Sequence, residues 1–252
     1  MAQGTAAAGV LDGILPPISG ILDLATGSEF WLGLLEIIGV NIILSGDNAV
    51  VIALAARSLP KPQQRAAIVI GSGAAIVLRV ILTTVAARLL SLPYLKLAGA
   101  VLLIWIGVQL LLPENEDDTG GSKASGHLIV AVRTILIADL VMSLDNVIAV
   151  AAAAHGNLLL LILGLGISIP LIIFGSTALL KVMERFPIVI TLGAGLLGYV
   201  AGDMLLSEPV LEAWEQPPVL HTLIPWIGAA LVIGTGRWLA SRMAAGRPNP
   251  GS

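Results

Sequence analysis

Residues 41–48, NIILSGDN, return at residues 139–146 as DLVMSLDN. At a constant offset of 98, Asn41 falls on Asp139, Ser45 on Ser143, Asp47 on Asp145 and Asn48 on Asn146, and the intervening apolar residues match in kind. A weaker echo follows at an offset of 94, where Gly99, Trp105 and Gln109 fall on Gly193, Tyr199 and Asp203. A duplication of this kind sets the architecture before any single residue is interpreted. On a helix, positions 41, 45 and 48 share one face by their i, i+4, i+7 spacing, and Asp47 stands about 100° from Asn48 around the axis. Positions 139, 143, 146 and 145 repeat that arrangement. Gly46, between Ser45 and Asp47, is expected to loosen the first helix and free a backbone carbonyl.

Outward from the octets the chain is apolar. Hydrophobic residues make up 57% of its 252 residues before 28 glycines are counted, and charged residues 12%, where a soluble domain carries roughly 25%. Such a chain cannot cover a water-facing surface with charge, which excludes soluble enzymes of ordinary type. The mean hydropathy of +0.97 and apolar runs beyond about 18 residues identify a polytopic helical membrane protein. The absence of cysteine excludes disulfides, thiolate metal sites and iron–sulfur clusters. A net charge of −3 leaves no basic footprint for nucleic acid.

Stretches of about 20 apolar residues predict seven spans, near 31–56, 66–90, 94–112, 128–154, 158–180, 187–206 and 222–240. Residues 1–30 then form an extracytoplasmic lead-in, and 113–127 an acidic cytoplasmic linker with Glu114, Glu116, Asp117 and Asp118. The linker divides a first three-helix repeat (31–112) from a second (128–206), and 207–252 hold an outer loop, a seventh helix and a cytoplasmic tail. Three spans per half is an odd number. The two halves must enter the membrane from opposite sides, so the expected fold is all-α, two inverted three-helix repeats plus a seventh helix. Arg57, Lys61, Arg65, Lys123, Arg133, Lys181, Arg185, Arg237, Arg242 and Arg247 fall on one side of this scheme, with only Arg88 and Lys96 on the other. The positive-inside rule places the N-terminus outside and the C-terminus in the cytoplasm.

Glu36, Asp47, Asp139, Asp145 and Asp203 all lie within predicted spans. At roughly 2.5–3.5 kcal/mol for a central aspartate, the four aspartates facing lipid would cost on the order of 10 kcal/mol. They must face an interior cavity or a cation. The bland alternative is that they are protonated, or paired with Arg79 inside the second span, and hold the bundle together; one arginine cannot neutralise them all. Asp and Asn oxygens from two helices suit a hard divalent cation, Mg, Ca or Mn, over Cu or Zn. Ser45 and Ser143 have no histidine or lysine beside them in sequence to activate a nucleophile, so no enzymatic activity is expected.

The paired motifs SGDNAVVIALAA and SLDNVIAVAAA, in a chain of this layout, resemble the TerC family of bacterial integral membrane proteins, within the wider lysine-exporter-like superfamily. The resemblance covers roughly residues 30–206. It implies manganese efflux and metal homeostasis, and in some members tellurite resistance. Carried over by position, it makes Asn41, Asp47, Asn48, Asp139, Asp145 and Asn146 candidate metal ligands. Read from their own place in the spans, Glu36, Arg79, Asp203, Ser45 and Ser143 are coupling or gating candidates. The expected activity is proton-coupled export of Mn²⁺, with Ca²⁺ or Mg²⁺ as other substrates. Rivals are a Ca²⁺ exchanger, an amino-acid exporter, or a non-transporting partner that delivers metal to other proteins or to the secretion machinery. Expected partners are the cation, the lipid bilayer and further copies of the chain.

Overall fold

A computed structural model of the protein describes residues 28–89, 92–112, 121–154, 157–212 and 217–245, and every regular element among them is helical. The lead-in up to residue 27 and the acidic run of the linker lie outside the described residues. The first predicted span is two helices, α1 (Ser28–Ile43) and α2 (Gly46–Ala56), bent by 51° at Leu44 and Ser45. The break falls at the glycine of the first octet, where a helix is least committed. It is local, because Leu44 N still donates to Val40 O and Ala49 N already donates to Ser45 O. The Asp47 carboxylate accepts from Asn48 N at 2.8 Å, which satisfies one amide left open at the start of α2.

Six further helices and one short turn follow: α3 (Lys61–Leu89), α4 (Leu95–Gln109), α5 (Gly121–Ala153), α6 (Leu158–Arg185), α7 (Ile188–Leu206), the single turn α8 (Pro209–Glu212) and α9 (Pro218–Ala245). Five of these helices are long and apolar enough to cross a membrane, and the bent pair α1–α2 makes six. The expected third span, α4, is apolar but shorter than these. Helix α4 has 15 residues, about 22 Å at 1.5 Å per residue, against a hydrocarbon core of about 30 Å. Helix α5 begins at Gly121, inside the stretch expected to be linker.

Large apolar side chains cover the outside, Ile43 at 81% and Phe174 at 73% exposure among them, as lipid-facing helices require. Inside, α3 packs along α5, and α6 packs along α1 and α2. Helix α4 touches α5, α7 touches α2, and α4 and α7 pack on each other. Helix α9 closes over α7 and α4. On that seam the backbones meet: a Cβ at Gly228 would overlap the Gly198 carbonyl, and one at Gly198 would overlap the Gly228 carbonyl. Small residues permit this approach where lipid supplies no hydrophobic drive between helices. Gly228→Val is therefore expected to destabilise the protein by about 3 kcal/mol, the upper end for overpacking against backbone that cannot yield. Thermal unfolding in detergent should show a midpoint about 6–12 °C lower; an unchanged midpoint would disprove the contact.

Candidate cation site

The two octets meet at one buried point, and Arg79 of α3 occupies it. Arg79 is 2% exposed, and the acceptors around it are buried as well. Its Nη1 donates to Asn41 Oδ1 at 2.6 Å and to Ser45 Oγ at 3.1 Å, both from the first octet. Its Nη2 donates to Asp139 Oδ1 at 2.7 Å and its Nε to Ser143 Oγ at 3.1 Å, both from the second. Each octet also makes the same internal bond. Ser45 Oγ donates to Asn41 Oδ1 at 3.2 Å, and Ser143 Oγ donates to Asp139 Oδ2 at 3.3 Å. The i, i+4 pairing read from the repeat is thus a real contact on both helices. The four acceptors are one carboxylate, one amide and two hydroxyls, two from each half of the chain.

Burying a guanidinium and a carboxylate costs several kcal/mol per ion, and only good geometry and satisfied hydrogen bonds offset it. Four of the five guanidinium N–H groups have an acceptor here, and the ion pair with Asp139 is 2.7 Å long. The bland expectation that Arg79 pairs with an intramembrane aspartate holds for Asp139.

Asn48 is 2% exposed, and neither its Oδ1 nor its Nδ2 has a hydrogen-bond partner among the described residues. Asn41 Nδ2 is also buried and unpartnered. Native proteins leave few such groups, and those that remain mark strain or a ligand site. Asp47 is half-buried, and its carboxylate accepts from the amide of its neighbour Asn48. Asn146 reaches across to the break in the first span, donating from Nδ2 to the Leu44 carbonyl at 3.1 Å. That is the carbonyl-freeing effect expected of Gly46, with the acceptor engaged by the opposite octet. The side chain of Asp145 lies outside the described residues. Glu36 and Asp203 stand on exposed faces of α1 and α7, outside the buried cluster. Among the described residues no three histidine, aspartate or glutamate side chains converge.

One structural carboxylate escaped sequence reasoning. Glu208, expected in a solvated outer loop, is 1% exposed. Its two oxygens accept from Tyr94 N at 2.8 Å and Leu97 N at 3.1 Å, at the start of α4. Tyr94 there holds a left-handed backbone, φ 64°, and the acceptor comes from the end of α7. Nothing local in sequence signals a contact spanning more than a hundred residues.

The family model of the integral membrane protein TerC family matches residues 26–244. The chain is 44% identical over 206 residues to the uncharacterized membrane protein YjbE of Bacillus subtilis (strain 168), covering 81% of this chain and 94% of that protein. It is 25% identical over 223 residues to the uncharacterized membrane protein YkoY of the same organism, covering 85% of this chain and 63% of YkoY. To the UPF0053 inner membrane protein YoaE of Escherichia coli (strain K12) it is 26% identical over 182 residues, spanning 35% of that longer protein. No solved structure matches the chain.

Proposed function

The chain belongs to the TerC family of integral membrane proteins, and on that premise we propose that it is a secondary transporter exporting a divalent metal cation, Mn²⁺ first, through the oxygen cluster between the bent first span and α5. One observation carries this reading: oxygens of both octets converge on a buried point that already stabilises a positive charge, the Arg79 guanidinium. Asp, Asn and Ser oxygens make a hard set that suits Mn²⁺, Ca²⁺ or Mg²⁺. Unpartnered Asn48, next to Asp47, offers further oxygen.

The two halves are inverted repeats on this proposal. Its support is packing that survives exchange of the halves: α3 lies along α5 as α6 lies along α1 and α2, and α4 touches α5 as α7 touches α2. Helix α4 then crosses as a short third span, and α9 lies outside the repeat. The N-terminus faces out and the C-terminus the cytoplasm of the inner membrane, following the basic residues. A cavity of about 330 Å³, lined by Ala55, Ser58, Gln109, His127 and Thr134 among others, opens at the cytoplasmic end of α2. From Asn48 to Ala55 is seven residues, about 10 Å along the helix, with packed core at Ile52, Ala53 and Leu54 between the cavity and the octets.

Export has to be driven. Moving one charge across 100 mV costs about 2.3 kcal/mol, so a divalent ion leaving an inside-negative cell costs about 4.6 kcal/mol before any concentration gradient. No nucleotide-binding motif is present. Carboxylates that release a metal can take up protons and return them inward, which makes proton antiport the proposed coupling. In proteoliposomes holding only this protein, Mn²⁺ flux is expected to rise severalfold with an opposing pH gradient. Flux indifferent to the gradient eliminates the proton; no flux at all favours the second reading, a non-transporting metal-delivery partner in which the Arg79–Asp139 pair is structural.

A further inference from the structure

We infer that Arg79 is a tethered competitor of the transported cation, holding the space between the octets until a cation displaces it. The inference rests on the divalent-cation reading above and deepens it. Arg79 draws on both halves of the duplicated set at once, with two acceptors from 41 and 45 and two from the equivalent positions 139 and 143. A hard cation entering there would draw on the same four groups, which supply one carboxylate, one amide and two hydroxyl oxygens where the two octets meet. Both cannot occupy the cluster. A divalent ion beside a fixed guanidinium, in a medium far less polarisable than water, meets repulsion comparable in size to its attraction to Asp139.

The pattern of satisfied and unsatisfied groups agrees. The oxygens that Arg79 touches are hydrogen-bonded, whereas Asn48, a turn or less along the same octet, is buried with its whole amide unpartnered. Four polar side chains of the octets are thus engaged by the protein's own cation, while the Asn48 amide stands open. The repeat contains this asymmetry: around the position in α6 that corresponds to Arg79, the residues are Gly175, Ser176 and Thr177, none of them charged. A single arginine therefore serves both octets, and its departure releases acceptors in each half together.

The test is titration of MnCl₂ into the purified full chain in detergent micelles, read by calorimetry, for wild type, Arg79→Gln and Arg79→Lys. Removing a competitor should tighten binding. Arg79→Gln is expected to bind Mn²⁺ at least tenfold more tightly than wild type, whereas loss of a purely structural arginine would weaken binding or leave it unchanged. Arg79→Lys keeps the charge but has one nitrogen where Arg79 uses three, so its affinity should fall between the two. It carries the test alone if Arg79→Gln does not yield monodisperse protein. Tighter binding in either variant supports the inference, including the outcome in which only the variants bind measurably. Wild type that binds Mn²⁺, with folded variants binding no tighter, overturns this inference and leaves the transport reading standing. Absence of binding in wild type and both variants overturns the two together.

Discussion

Asp47→Asn is expected to weaken Mn²⁺ binding by at least about 100-fold, and Asp145→Asn, its counterpart in the second octet, by a similar factor. The substitution keeps volume and removes one charge. A hundredfold loss is about 2.7 kcal/mol, modest beside the attraction between a carboxylate and a divalent ion a few ångström apart, about 4 kcal/mol per unit charge at an effective dielectric constant near 20. The fold should survive. Asp47 is only half-buried, and its bond from the Asn48 amide is one that an Asn oxygen also accepts. Calorimetry on monodisperse protein decides it, and wild-type affinity in either variant removes the octets from the site.

The other large effect is on stability. Asp139→Leu leaves the Arg79 guanidinium buried opposite an apolar side chain, and breaking a buried pair by removing one partner costs about 3–5 kcal/mol. For a chain of this size that lowers the thermal midpoint by about 6–20 °C. Combining it with Arg79→Met removes both charges and should recover most of the loss, since replacing a whole buried pair with apolar residues is often neutral. A single variant as stable as wild type would mean that Arg79 finds another anion or water when Asp139 is gone.

Much of this arrangement is legible in the chain. The offset of 98 brings Asn41, Ser45, Asp139 and Ser143 to one place, and the structure has all four on a single guanidinium. Gly46 marks the break because a residue without a Cβ is least held in a helix. Other features lie beyond sequence reading for definite reasons. Hydropathy counts apolar residues and takes no account of where a helix stops, so 94–112 reads as a full span although α4 ends at Gln109, shortly before Pro113, a residue that disfavours helix ahead of it. Arg79 was recognisable as a counter-ion, a gate or a structural partner, but its acceptors lie 34 to 64 residues away, and only the fold selects among them. Glu36 and Asp203 stand apart from the cluster. Their place in apolar stretches suggested a role at the site, yet a position within a span does not say which side of the helix faces the interior, and both are exposed.

The Arg79–Asp139 pair also imposes an order on biosynthesis. Its members are 60 residues apart, so at about 5–20 residues per second the arginine leaves the ribosome about 3–12 s before its carboxylate partner. Asn41 and Ser45 have by then been made, being 38 and 34 residues ahead of it. The nascent first half can solvate the lone cation with these two oxygens while it waits. The second half completes the cluster only on arrival, so a chain ended before Asp139 would leave in the bilayer a first half whose arginine has no carboxylate partner.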